Sequence, residues 1–466
     1  MANETGSTPR DPYQELLASY AVADHTIPEE SEHEVKRRLI DSFGVMCAAL
    51  QGDAPQVVRE YARQFPFQPG ASVFGSSSPS TPEIAGFANG VHVRYLDFND
   101  TYLSLEPLHP SDVIPPLFAL AEWVGLGGKD LIAAVAIAYE VSMNLCDAAS
   151  LRIHGWDHVN YIGLGAAAGA AHLLDLSQRQ AAHALSISLV PHAAMRQTRA
   201  GELSMWKGAA AANSARNGLF AALLAAKGFT GPYEPFVGEM GAIQQLLGGT
   251  QFLDVALESM KDGKPPKRIC DSYIKAYPVE YHAQSAVDAA AELHQEIGDW
   301  QDIESIKIET FQVGYEIIAK DEEKWAPTTR ETADHSLQYI VAAVLIDGFV
   351  DRETFSDERL SDPRIRSLLH KTTVEEALRL SEQYPKGIPN AITVRTKDGR
   401  EHFREVTYPR GHAQNRMEDT EVVAKFTRNR QGVLSEEQAQ ELVVRIWELE
   451  RLDSMKPIVA LWPKGD

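Results

Sequence analysis

The segment 209-AAAANSARNGLFAALLAA-226 decides the fold of this chain, because small side chains fill most of its helical positions. A second segment of this kind, 163-GLGAAAGAA-171, precedes it in the chain. Helices with small side chains all round are typically buried and packed closely against their neighbours. These two segments therefore predict the centre of a helical core.

The sequence around these two segments is also helical in pattern. Apolar residues recur at helical spacing in residues 13–23, 34–50, 114–124, 131–149 and 204–227. Residues 11–270 are therefore predicted to be mostly helical.

The pattern changes after about residue 270. Residues 303–313 alternate apolar and polar side chains, as a half-buried strand does. Residues 391–396 and 402–408 flank 397-KDGR-400, which predicts a hairpin with a glycine-containing turn. Helices are predicted between these strands, at residues 334–345 and 374–380.

A final helical segment, residues 420–451, is amphipathic and is expected to return to the helical domain. The predicted fold is mainly α with a smaller α+β domain. We expect a large helical domain of residues 1–270, completed by 411–466, with a small α+β domain of residues 271–410 inserted as a lid.

The composition restricts the class of partner. The 466 residues carry a formal net charge of −21, whereas nucleic acid or an anionic membrane would require a basic face. The sequence has no apolar run long enough to span a membrane and no apolar secretory core at its start, so we expect a cytoplasmic protein. Cys47, Cys146 and Cys270 are far apart, which predicts neither a disulfide framework nor a zinc or iron–sulfur ligand set.

A short polar loop is the first candidate site. It reads 96-LDFNDTY-102 and continues as 108-LHPSD-112, with Asp97, Thr101 and His109 among its polar residues. Pro107 and Pro110 prevent a continuous helix, so His109 is expected on a bent loop. Such a loop can be an ordinary solvated connection with a helix cap, but polar loops held by rigid helices are also where catalytic groups are often placed.

The segment 154-HGWDHVNY-161 is a second candidate, because it leads into the first small-residue helix. Its polar side chains suggest a site wall, and the helix N-terminus offers amide donors to an anion. Capping by Asp157 is the structural alternative. His154 and His158 have a spacing seen in metal sites, but no third ligand accompanies them, so a metal is the poorer interpretation.

Two further segments supply cations. Arg199 and Lys207 come just before the second small-residue helix, and Lys275 lies at the junction of the two predicted domains. Each lysine can instead reach solvent, and the junction can be a simple hinge. Because ligand sites favour domain interfaces, these cations together predict a small substrate with more than one carboxylate.

With these residues identified, the chain resembles the MmgE/PrpD family over residues 12–455. The matching motifs occur in order: LDFNDTY with HPSD, GWDHVNY, TRAGELSMWKGAAAANSARNG, IKAYPVEYHAQSAVDAA, HSLQY and YPRGHAQN. The resemblance implies a large helical domain and a smaller α+β domain with the active site between them. It also implies a homodimer with no metal or organic cofactor.

The resemblance also implies roles for individual residues. The family's active-site aspartate and threonine match Asp97 and Thr101, and its central histidine matches His109. Its two lysines match Lys207 and Lys275. The tyrosine of the HS-x-Q-Y motif matches Tyr339, and a histidine that precedes the small-residue helix in the family's decarboxylases matches His158. His158 and Tyr339 are therefore expected to bind substrate, together with Arg199, one of the cations identified above from its segment.

The NDTY, HPSD and GWDHV motifs are closest to those of 2-methylcitrate dehydratases. The resemblance thus implies elimination of water from 2-methylcitrate, giving 2-methyl-cis-aconitate. We expect His109 to be the acid–base group, Asp97 to orient it or carry the proton, and Thr101 to hold a carboxylate or the leaving hydroxyl. Alternatives are a cis-aconitate decarboxylase or a dicarboxylate epimerase of the same family, and a helical interaction protein whose cationic loops are structural.

Overall fold

The computed structural model describes residues 11–249 and 253–465, and the first part of the chain is built from helices. These are α1 Pro12–Ala21, α2 Glu29–Ala49, α3 Asp53–Ala62, α4 Pro82–Arg94, α5 Ile114–Val124, α6 Gly128–Ala148, α7 Val159–Leu173, α8 Gln178–Leu189, α9 Ala210–Ala226, α10 Leu253–Ala256 and α11 Glu258–Lys261. Three short strands lie among them, β1 Pro66–Ala71, β2 Tyr102–Leu103 and β3 Pro107–Leu108. The helices predicted in this part are confirmed.

The two small-residue helices lie at the centre of the helical part. Helix α7 packs between α6 and α9. A Cβ atom on Gly218 of α9 would lie 2.3 Å from the carbonyl oxygen of Gly163 in α7, so only glycine permits this close approach. The length and composition of α6 would allow it to cross a membrane, but 89% of its apolar window is buried inside the protein.

Helix α9 begins later than its sequence pattern predicts. The segment expected to be helical from residue 204 instead forms a 3-10 turn over Met205–Gly208 before α9 starts at Ala210. In this tighter turn Lys207 is fully buried. The departure from a regular helix therefore places the lysine inside the protein.

The second part of the chain is an α+β unit with a four-stranded sheet. Its elements are α12 Gln284–Ile297, β4 Ile303–Thr310, α13 Gln312–Ile318, α14 Arg330–Ala333, α15 Leu337–Asp347, α16 Asp357–Leu360, α17 Pro363–Leu369, β5 Thr372–Glu376, α18 Leu378–Ser381, β6 Asn390–Thr396 and β7 Glu401–Val406. The strand order is β5-β4-β6-β7, with β5 parallel to β4 and the other pairs antiparallel. Helix α12 packs on α15 and on the hairpin strands β6 and β7.

The helix predicted at residues 374–380 is wrong in its first half. Residues 374–376 lie in β5, which pairs with β4 in the register Ile306↔Thr372 to Thr310↔Glu376, and residues 378–380 lie in the four-residue helix α18. Glu, Ala and Leu favour a helix locally, but pairing with the sheet edge overrides that weak preference.

The C-terminal segment returns to the helical part, as predicted. It forms α19 Asp419–Asn429, α20 Glu436–Trp447 and α21 Lys456–Val459, with Gly432 in the left-handed region between the first two. Helix α19 packs on α2, and buried residues of this segment, such as Leu442 and Ile458, join the main hydrophobic cluster. A second cluster is confined to residues 279–394. The predicted fold class is confirmed, while the domain boundaries stay a prediction.

Candidate active site

A cavity of about 130 Å³ lies between the helical part and the α+β part. Its lining residues are Arg94, Asp97, Pro107, His109, His158, Arg196, Arg199, Gly201, Leu203, Lys207, Glu280, His282, Glu316, Ile317, Asp321, Lys324 and His335. Three larger surface depressions, of about 660, 630 and 350 Å³, contain none of the predicted site residues. The cavity therefore collects five residues predicted from the sequence: Asp97, His109, His158, Arg199 and Lys207.

Asp97 is the charged centre of this cavity. It follows α4 with a φ of +50°, an uncommon conformation for a residue other than glycine, and its side chain is almost fully buried. Its carboxylate pairs with Arg94 and accepts a 3.0 Å hydrogen bond from Lys275 Nζ. Lys207 Nζ lies 3.6 Å from its second oxygen. Burial raises the pKa of Asp97, but these cations hold it well below its usual range, so Asp97 stays ionised.

His109 lies beside Asp97 with a defined tautomer. Its Nδ1 is 2.7 Å from the backbone oxygen of Asp100, which can only accept a hydrogen bond. Nδ1 therefore carries a proton, and Nε2 carries the lone pair when the ring is neutral. Nε2 lies 3.7 Å from Asp97 Oδ1. Burial, followed by Arg94 and Lys275, lowers the pKa of His109 well below 6.5, so the ring is a neutral base near pH 7.

The side chain of Asp100 fixes the backbone that orients His109. Tyr139 Oη donates a 2.8 Å hydrogen bond to Asp100 Oδ2, and the backbone N–H of Ser111 donates one of 2.8 Å to Oδ1. Arg38 Nε lies 3.3 Å from the same carboxylate. Because these partners come from three separate segments, the carbonyl that accepts from His109 is held rigidly.

His335 is a site residue that the sequence reasoning missed. Its Nδ1 lies 2.5 Å from Asp334 Oδ1, and its Nε2 lies 3.7 Å from Asp97 Oδ2. Burial and the nearby Lys207 lower the pKa of His335 to about 4, although Asp334 opposes this. The HSLQY motif contains this histidine, but the family resemblance implied a role only for the tyrosine at its end.

Several buried donors of the lining have no hydrogen-bond acceptor among the described residues, and they include Lys207 Nζ, Arg199 Nη2 and Arg94 Nε. The ring nitrogens His158 Nε2 and His282 Nε2 also have no partner there. Lys207 Nζ lies 3.6 and 3.5 Å from carboxylate oxygens of Asp97 and Asp334, which balance its charge without making a hydrogen bond. Because unsatisfied buried donors cost free energy, these groups are suited to bind an anionic ligand.

Asp157 holds the second wall of the cavity in place. It accepts a 3.0 Å hydrogen bond from Arg199 Nε, and its carboxylate lies 3.1 Å from His158 Nδ1. Burial and the neighbouring Arg199 lower the pKa of His158 well below 6.5.

His154 is exposed and does not line the cavity. In residues 11–249 and 253–465, no group of three or more His, Cys, Asp or Glu side chains is arranged to hold a metal ion.

Family models match both parts of the chain. The MmgE/PrpD N-terminal domain matches residues 15–253, and the MmgE/PrpD C-terminal domain matches residues 277–449. The chain belongs to the MmgE/PrpD family.

Several named dehydratases are similar to this chain over most of its length. A mitochondrial 2-methylcitrate dehydratase from Yarrowia lipolytica is 33% identical over 404 residues, which cover 80% of this chain and 75% of that protein. A 2-methylcitrate dehydratase from Cupriavidus necator is 30% identical over 421 residues, 83% of each protein. An alkylcitrate dehydratase from a fungal species is 27% identical over 449 residues, 89% of this chain and 86% of that protein.

Lys275, Thr101 and Tyr339 match the MmgE/PrpD motifs but do not line the cavity. Lys275 is fully buried behind Asp97 and also donates to its backbone oxygen at 2.8 Å. Thr101 Oγ1 donates to the carbonyl oxygen of Leu108 at 3.0 Å, so its hydroxyl stabilises the hairpin of β2 and β3. The structure therefore gives Lys275 and Thr101 supporting positions.

Tyr339 lies apart from the cavity, in contrast to its expected role in binding substrate. Its side chain is 1% exposed within the core of the α+β part, and its hydroxyl donates to the backbone oxygen of Thr354 at 2.8 Å. The aromatic ring packs near Phe355. A hydroxyl that is satisfied in the core is not available to a ligand in this cavity.

Proposed function

We propose that this chain is a 2-methylcitrate dehydratase, a hydro-lyase that forms 2-methyl-cis-aconitate by acid–base elimination without a metal. One observation carries the proposal: a neutral imidazole and cationic side chains with donor atoms that have no acceptor line the same cavity, in a chain of net charge −21. Local cations against an acidic background suit a multiply charged anion. The names of the relatives supply the substrate.

The tricarboxylate is bound by the hydrogen-bond donors that have no acceptor among the described residues. Lys207 and Arg199 each offer a charge-assisted hydrogen bond to a carboxylate. His158 lies on the same wall as Arg199 with Nδ1 facing Asp157, so Nε2 of its neutral ring can accept a hydrogen bond from the substrate. Arg196 adds a further cation to the lining. These contacts also stabilise the negative charge that builds up when a proton is removed next to a carboxylate.

His109 Nε2 takes the proton from the methyl-bearing carbon, and the hydroxyl leaves the neighbouring carbon as water with a proton from the Lys207 ammonium. Asp97 stabilises the imidazolium that forms, since its carboxylate lies 3.7 Å from His109 Nε2. The same carboxylate lies 3.6 Å from Lys207 Nζ. Asp97 therefore lies between the two groups and stabilises whichever of them carries the proton.

Loss of Lys207 should mainly weaken transition-state binding. Lys207→Met is expected to lower kcat/KM for 2-methylcitrate by about 10²- to 10³-fold, the usual cost of removing one well-placed donor at developing charge. Steady-state kinetics measure this loss. Lys371→Met is the control, because Lys371 Nζ donates to the backbone oxygen of Ile303, away from the cavity. Equal losses in both variants would contradict the assignment.

The pH dependence follows from the lowered pKa of His109. Because this pKa lies well below 6.5, the free enzyme holds a neutral base through the neutral range and loses it only as the pH falls through the lowered value. After correction for ionisation of the substrate, kcat/KM is expected to stay constant down to pH 6.5 and below. A decline centred at or above pH 6.5 would mean that His109 is not the base.

Product analysis tests the proposed reaction. Purified protein is incubated with 2-methylcitrate, and proton NMR follows the loss of the C–H signal at the methyl-bearing carbon. The proposal predicts one molecule of 2-methyl-cis-aconitate for each 2-methylcitrate consumed. Release of carbon dioxide from cis-aconitate, with 2-methylcitrate unchanged, would replace the dehydratase with a decarboxylase.

Four further features belong to the proposal. The protein acts as a homodimer, as the family resemblance implies. It has a helical domain of residues 1–270 and 411–466 and an α+β lid of residues 271–410, which is supported by the hydrophobic cluster confined to residues 279–394. It is cytoplasmic, although the Yarrowia lipolytica relative is named as mitochondrial. Its reaction needs neither nucleic acid nor a membrane as partner.

A further inference from the structure

Three of the side chains that line the cavity are apolar, those of Pro107, Leu203 and Ile317, and they are together called the apolar wall. Thirteen of the cavity's seventeen lining residues carry ionisable side chains, and Gly201 has no side chain. We propose that this apolar wall receives the alkyl substituent of the substrate and limits its length. The inference rests on the proposed function, because it concerns specificity within the same tricarboxylate site.

Pro107 places the apolar wall next to the catalytic base. Side chains two residues apart in an extended segment lie on the same face, and Pro107 and His109 both line the cavity. Pairing of Pro107 with Leu103 fixes its position. In 2-methylcitrate the methyl group is bonded to the carbon that loses its proton. A substituent on that carbon therefore lies beside His109, where Pro107 provides the apolar surface.

Leu203 has an unusual environment for a buried leucine. It is 6% exposed, yet it belongs to none of the five hydrophobic clusters formed by the described residues. Its position in the chain, between Arg199 and Lys207, places it among the proposed carboxylate-binding residues.

Ile317 is the third member of the apolar wall. It belongs to α13 in the α+β part and is half-buried, packed partly against the second cluster. The apolar wall therefore draws on side chains from both parts of the chain. Shortening Leu203 or Ile317 would enlarge the cavity at this wall and admit a longer substituent.

The experiment compares citrate, 2-methylcitrate and 2-butylcitrate as ligands of the wild type, Leu203→Ala and Ile317→Ala. Dissociation constants come from calorimetry, and kcat/KM from product formation. Each alanine variant is expected to shift selectivity from 2-methylcitrate toward 2-butylcitrate by about 10-fold or more, since a few methylene groups in an apolar pocket are worth at least that factor. Affinity for citrate, which has no substituent, should change little.

Ile297→Ala is the matched control, because Ile297 is also a half-buried isoleucine packed against the second cluster but does not line the cavity. It should leave selectivity unchanged. If an alanine variant does not fold, Leu203→Val and Ile317→Val should shift selectivity in the same direction by less. Unchanged selectivity in the folded variants would overturn the inference. Selective binding without turnover by the wild type would instead reject the dehydratase and leave the apolar wall supported.

Discussion

His109→Ala is expected to lower kcat/KM for 2-methylcitrate by about 10²- to 10⁴-fold, the range that positioned acid–base groups contribute. The reason is geometric: Nδ1 is committed to the backbone oxygen of Asp100, so Nε2 is the only basic nitrogen of this ring. The side chain lines a cavity and is 8% exposed, so its removal should leave the fold intact. Steady-state kinetics and a thermal melting curve measure the two effects separately.

His183→Ala provides the control for this prediction. His183 is 9% exposed, and its ring accepts a hydrogen bond from the backbone N–H of Gly231, outside the cavity. Loss of that imidazole should leave kcat/KM close to that of the wild type. A folded His109→Ala protein that retains wild-type kcat/KM would remove His109 from the mechanism.

Asp97→Asn is expected to lower the free energy of unfolding at pH 7 by about 3–5 kcal/mol, because Arg94, Lys207 and Lys275 then remain buried without their shared counter-charge. Activity should fall as well, since Lys207 and His109 lose the charge that balances them. Urea unfolding measures the stability change. Asp254→Asn, at an exposed ion pair with Lys261, should change stability little.

The pH dependence gives a second test of Asp97. Its pKa is lowered in the folded state, so the stability it contributes is fully present above the unfolded pKa of about 3.9 and is lost as the pH falls toward the folded value. The difference between wild type and Asp97→Asn should therefore be constant near neutrality and shrink in acid below about pH 4. A difference that grows in acid would contradict an ionised, cation-held Asp97.

Helical periodicity located the large part of the fold because its signal is local. The helix expected at residues 114–124 is α5, with the same bounds, and the small-residue segments lie at the centre of the core. The strand β5 was missed because its pairing with β4 is a tertiary contact that its own composition does not indicate. The buried position of Lys207 likewise depends on a 3-10 turn within a segment of helical pattern.

Only part of the site could be predicted from the sequence, because some of its residues meet only through tertiary contacts. Asp97, His109 and Lys207 occur in unusually polar segments, and the cavity brings them together. His335 comes from a distant segment and approaches Asp97 only because the two parts of the chain fold against each other. The roles of Thr101 and Tyr339 were matched from motifs, which do not reveal that Leu108 and Thr354 satisfy their hydroxyl groups.

The most direct test of this account is the ultraviolet absorbance of the conjugated alkene, followed after 2-methylcitrate is added to purified, EDTA-treated protein. The account predicts a rising signal that survives chelation in the wild type and is nearly absent in His109→Ala. A signal that requires added metal, or that His109→Ala produces at the wild-type rate, would contradict side-chain acid–base elimination in this cavity.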